Sequence, residues 1–159
     1  MKKGDKFLAA TRISLGLIFL WAFFDKLFGL GFATAKEAAV INGGSPTLGF
    51  LQFGTKGPLA GIFKAMAGSL TVDILFMAGL FFIGLFLILG IMKKTITILG
   101  TILMVLMWAA TLLPEHNPFL DEHIIYGLIL LYLGTQEWKF SLEKEWLKLK
   151  LVKKYNFLS

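Results

Sequence analysis

The 159-residue chain contains no cysteine. Disulfide exchange, thiolate nucleophiles, persulfide carriage on the chain, iron–sulfur ligation and Cys-based zinc sites are therefore excluded. Redox chemistry must be borrowed from something bound, and no covalent cofactor is expected. Charge is also scarce, at 16% of residues where soluble domains carry about 25%. Histidine occurs twice, as His116 and His123, so imidazole chemistry has two places to reside. The length leaves no room for a separate catalytic domain beside a membrane bundle. The formal net charge of +6 comes without a nucleic-acid recognition motif, and nucleic acid is not expected as a partner.

Apolar residues dominate what remains: 57% hydrophobic, sixteen Phe, seventeen Gly and a mean hydropathy of +0.75. Apolar runs cover about 7–30, 71–92, 95–113 and 118–138. Each reaches about 30 Å as a helix, the thickness of the hydrocarbon core of a bilayer. The expected fold class is all-α: an integral membrane four-helix bundle, residues 1–138, with a long Gly-rich extracytoplasmic loop between helices 1 and 2. Residues 139–159 form a basic amphipathic tail.

Lysines assign the sides. Lys2, Lys3, Lys6 and Arg12 precede or enter the first run, Lys93 and Lys94 join the second to the third, and Lys139, Lys144, Lys148, Lys150, Lys153 and Lys154 crowd the tail. Positive-inside counting places both termini in the cytoplasm and makes the chain a multi-pass protein of the plasma membrane. Ala33-Thr34-Ala35 has the form of a signal-cleavage site, but Asp25 and Lys26 within the first run favour its retention as a span. Arg12 reads as a residue snorkelling to lipid phosphate. For the fourth run, Asn117 is the expected cap, with Pro118 at the first helical position and Asp121 and Glu122 near the positive end of the helix dipole. Gly127 and Gly134 share a face that admits a neighbouring helix. In the tail, Leu142, Trp146 and Leu149 fall on one helical stripe suited to an anionic surface, although the Leu147–Leu151 alternation also fits a strand.

This topology gathers polar residues at one side. Asp25 and Lys26 end the first run outside and Asp73 begins the second there; Glu115, His116, Asp121, Glu122 and His123 lie in the last external link. Trp108 and Tyr126 stand one or two turns deeper. Ionisable residues at membrane depth are expensive and mark functional sites by default. A structural ion-pair lock is the duller alternative, and Asp73 reads as a helix-start charge beside Ser69 and Thr71. Imidazole and carboxylate types suit zinc, but no ligand spacing here is specific, so no metal is assigned. His123, with Tyr126 one turn deeper, is the candidate proton donor and acceptor for a quinone carbonyl. The loop over 31–70 holds turn clusters at 43–46 and 54–58 and a short helical candidate at 59–66, and its Phe50, Leu51 and Phe53 are too apolar for a free linker. It is read as a lid whose amides and Lys56 can hold an anion.

Arg12-Ile13-Ser14-Leu15-Gly16, Trp21-Ala22-Phe23-Phe24-Asp25-Lys26-Leu27-Phe28-Gly29-Leu30-Gly31-Phe32, Asn42-Gly43-Gly44-Ser45-Pro46-Thr47, Phe53-Gly54-Thr55-Lys56-Gly57-Pro58 and Asn117-Pro118-Phe119-Leu120-Asp121-Glu122-His123-Ile124-Ile125-Tyr126 resemble the DoxX family. The likeness is nearest to its DoxD branch, named for a subunit of thiosulfate:quinone oxidoreductase. The resemblance implies a four-helix membrane protein through which thiosulfate is oxidised to tetrathionate while a membrane quinone takes the electrons, with a second small redox subunit (DoxA) as partner. A homo-oligomer is a further arrangement considered.

Joined to the residues, this reading brings thiosulfate to Lys26, Lys56 and His116, and quinone laterally from lipid to Trp108 and Tyr126. His123, with Asp121 or Asp25, supplies protons, and the external carboxylates oppose the dianion unless they are paired. The competing classes are a non-catalytic membrane anchor of a redox complex and a small-molecule or ion carrier.

Overall fold

The computed structural model describes residues 3–114, 117, 119–155 and 158. Among them the chain is helical, without strands: α1 (Lys3–Phe28), α2 (Ala60–Ala65), α3 (Leu70–Leu89), α4 (Lys93–Ala110), α5 (Glu122–Thr135), α6 (Glu143–Trp146) and α7 (Lys150–Lys154). α1, α3 and α4 are long and apolar enough to cross a membrane. At 1.5 Å per residue they measure about 39, 30 and 27 Å, whereas the fourteen residues of α5 measure about 21 Å. The fourth run is therefore a shorter helix than the one expected over 118–138. Asn117 Oδ1 accepts the amides of Phe119 and Leu120, each at 2.9 Å, in a local turn. The helix starts only after Asp121, whose extended backbone and carboxylate, accepting from the amides of His123 and Ile124, make it the N-cap instead. Pro118 lies outside the described residues.

The long helices alternate in direction. α1 packs on α3 and α4 on α5, α3 and α4 join the two pairs, and α1 and α5 barely meet. Glycines set the close approaches. A Cβ on Gly16 would lie 2.8 Å from the carbonyl oxygen of Gly84, and one on Gly134 would lie 2.6 Å from Thr97 Oγ1. Gly127 faces Thr101 and Met104 on the same seam, so the glycine face expected on the fourth run is used against α4. Leu15, Phe19, Leu80, Leu87, Ile96, Met104, Leu130 and Leu133 fill the core. Outward-facing Leu17, Trp21, Leu75, Phe82, Ile102, Leu106, Leu128 and Leu131 stay exposed, a belt that water would penalise and hydrocarbon accepts.

At the lysine-rich end the expectation for Arg12 is overturned. Its side chain is 1% exposed and does not reach outward to lipid. It donates to the carbonyls of Leu87, Ile88, Lys139 and Phe140, and its guanidinium stands 5.1 Å from the Trp138 ring centroid. Carbonyls left unpaired at the end of α3, and others just beyond α5, offer a desolvated cation more acceptors than the headgroup region would. The tail is not one helix either. It breaks into α6 and α7, and Trp146 turns inward, its indole N–H donating to the Leu158 carbonyl (2.6 Å) while its ring lies tilted against Phe86, centroids 6.3 Å apart. One stripe through Leu142, Trp146 and Leu149 is therefore not formed.

Candidate functional site

At the other end of the bundle the long loop is fastened down by two buried carboxylates. Asp25, 2% exposed, accepts the amides of Phe32 (3.2 Å) and Ala33 (3.0 Å). Asp73 accepts the hydroxyls of Ser45 (3.0 Å) and Thr47 (2.5 Å). Asp73 thus holds the loop as well as standing in the first turn of α3, and Ser69 makes no side-chain cap there. A third attachment joins the Lys56 amide to the Ala110 carbonyl at 3.0 Å. Beside it Gly57 takes φ +71° against the Leu112 carbonyl, where a Cβ would overlap. The loop carries a π-helical turn at Phe50–Gly54 and then α2, so the helical turn expected near 59–66 is present.

Two cavities open at this end. The outer one, about 320 Å³, is polar-rimmed and lined by Lys56, Thr111, Asn117, Asp121, Glu122 and His123. The inner one, about 190 Å³, runs among α1, α3, α4 and α5. Lys26, His123 and Tyr126 meet in it against Phe19, Phe76, Leu80, Met104 and Met107. His123 belongs to both. Its Nδ1 lies 2.9 Å from Asp121 Oδ2, and the other oxygen of Asp121 caps α5. One carboxylate therefore fixes the helix start and orients the ring. With Nδ1–H given to Asp121, Nε2 accepts a hydrogen bond in the neutral ring and donates one in the cation. Nε2 has no partner among the described residues.

The expected site residues separate in the fold. Lys26, His123 and Tyr126 come together. Lys26 and Lys56 do not: the first lines the inner cavity and the second the outer one, so a joint anion clamp is not formed. Lys56 and His123 share the outer cavity with the two carboxylates Asp121 and Glu122, a lining that does not concentrate a dianion. His116 lies outside the described residues. Asp25 lines neither cavity, its carboxylate being spent on loop amides. Trp108 lines neither as well; its indole N–H donates to the Phe119 carbonyl at 2.9 Å and steadies the segment before α5. No group of three His, Asp or Glu able to hold a metal occurs among the described residues.

Sequence reasoning missed the apolar side of the inner cavity. The residues of α1 that line it, Leu15, Ile18, Phe19, Ala22 and Lys26, follow the spacing of any core-facing stripe, so nothing in their order distinguishes a wall from a packed face. The partners of Asp25 and Asp73 were equally hidden, because backbone amides leave no trace in a sequence. No family model, no curated protein and no solved structure matches the chain.

Proposed function

We propose that the chain is a DoxD-like membrane redox subunit that reduces a quinone at the inner cavity with electrons from thiosulfate oxidised on the loop-bearing side. In this reading α5 completes a fourth crossing, and the loop-bearing end is extracytoplasmic. The observation that carries it is His123: one imidazole, oriented by Asp121, is shared between a cavity lined by charged and polar side chains and an apolar one that also holds Lys26 and Tyr126. A quinone needs this combination. Its ring prefers an apolar, aromatic-lined slot, its carbonyl needs a donor, and its reduction consumes two protons with two electrons. Two thiosulfate ions supply those electrons, one each, as their outer sulfurs join. His123 passes a proton from the outer cavity to the carbonyl, Asp121 holds it in the tautomer that can do so, and Lys26 and Tyr126 offer further donors.

Two carboxylates, Asp121 and Glu122, stand beside the one lysine of the outer cavity, which favours thiosulfate oxidation at a partner surface over tight anion binding by this chain alone. That same observation supports the second reading, a non-catalytic anchor whose polar end only locks the loop. Thiosulfate-dependent quinone reduction by the reconstituted chain, with and without a partner subunit, separates them. His123→Ala should lower the rate about 10²–10⁴-fold, the usual worth of a positioned acid–base group, while the protein stays folded. Full activity in that variant removes His123 from the mechanism.

A further inference from the structure

The inner cavity is longer than a quinone ring, and of its lining residues Ile18 alone is exposed. Along α1 its wall runs from Lys26 to Leu15, twelve residues that span about 16 Å of helix. Lys26, His123 and Tyr126 occupy one end, and every other lining residue is apolar. Leu15 is 4% exposed and Phe19 3%, so the far end and the floor are closed by packing; Ile18, between them on the same wall, is 47% exposed. The opening therefore lies at Ile18, where α1 and α5 barely touch, and it faces the same surroundings as the outward belt of the helices. The volume of about 190 Å³ modestly exceeds the roughly 150 Å³ apolar cavity that accepts a benzene-sized ring. One ring and a short stretch of chain fill it. Met104 and Met107 on the opposite wall are the side chains best able to mould to both.

Building on the quinone reading, we infer that the substrate is a single-ring quinone bearing an apolar chain, whose first carbons run inside the bundle along the α1 stripe and leave between α1 and α5 at Ile18. A chain gains little hydrophobic free energy by moving from lipid into this slot, since both are apolar. The gain comes from contacts that an empty slot forgoes, and from the direction that the slot imposes: the ring reaches His123 only with its chain pointing toward Leu15.

The test uses the full chain in lipid nanodiscs and a decyl-benzoquinone carrying a diazirine on an early chain carbon. Irradiation should label Leu15–Ala22 of α1 on the cavity stripe and Leu103–Met107 of α4, and excess unmodified decyl-benzoquinone should abolish the label. Ala22→Trp, which fills the slot, should cut labelling at least tenfold. Ile18→Trp, at a half-exposed position that folding tolerates, should do the same by closing the mouth. Competed label falling on outward-facing Leu17, Trp21 or Phe24 would overturn the placement of the chain while leaving quinone binding intact. Label on the α1 stripe that decanol displaces but decyl-benzoquinone does not would overturn the quinone reading itself.

Discussion

A single carboxylate decides how His123 behaves. Asp121 caps α5 with one oxygen and holds the imidazole with the other, so the two functions can be separated by substitution. Asp121→Asn keeps a capping acceptor and should leave thermal stability nearly unchanged, whereas Asp121→Ala should cost about 1 kcal/mol for the lost cap. Both should slow quinone reduction, by less than His123→Ala does; a full rate in Asp121→Asn would show that orienting the ring is unimportant. Arg12 tests the opposite end. Removing it strips charged hydrogen bonds from the buried Leu87 carbonyl and from three part-buried ones, at about 1–3 kcal/mol for an acceptor left buried and unpaired. Arg12→Ala should lower the unfolding midpoint in detergent by several degrees, with only partial recovery in Arg12→Lys, whose single ammonium cannot span four acceptors. A wild-type midpoint in Arg12→Ala would return this residue to the lipid-facing role its position suggests.

Among the elements, the loop between α1 and α3 differs most from its appearance in sequence. Its turn clusters and apolar residues marked it as folded, and the helical turn near residues 59–66 was legible. Its anchors were not: Asp25 looks like a reactive carboxylate in a membrane segment and Asp73 like a helix-start charge, and only the fold shows Asp25 accepting two amides and Asp73 two hydroxyls. Asp25→Asn should accelerate amide exchange at Phe32 and Ala33 and leave the rate of quinone reduction within about twofold, since the surface chemistry of the cavities is untouched; lost activity with unchanged exchange would make Asp25 catalytic after all. The helices themselves were readable because hydrophobic run length is a direct record of burial in lipid. The start of α5 was misread because Asn117 satisfies a turn of its own, and Arg12 because proximity to a membrane face does not reveal which carbonyls lie within reach. At the crossing of α1 and α3, Gly84→Leu would force Leu20 and the Gly16 backbone apart, and the expected loss is about 1–3 kcal/mol; an unchanged midpoint would mean that the two helices are not packed at this point.

For the whole molecule, the antiparallel order of α1, α3, α4 and α5 puts the carboxylate-anchored loop and both cavities at one end and the lysine-rich tail at the other. Because the chain lacks cysteine, single introduced thiols report the sides directly. Phe53→Cys, on the exposed loop, and Lys150→Cys, in the tail, should react with an impermeant maleimide from opposite faces of a sealed vesicle. Reaction of both from one face would dismiss the spanning arrangement.

Quinone reduction at the inner cavity requires that a quinone carbonyl meet His123. With only two histidines in the chain, ¹⁵N-histidine spectra of the protein in nanodiscs resolve the imidazoles once His116→Gln removes one set of signals. Adding decyl-benzoquinone should shift the Nε2 resonance of His123 and leave its Nδ1, held by Asp121, nearly in place. Saturating quinone that leaves Nε2 unmoved would contradict the account.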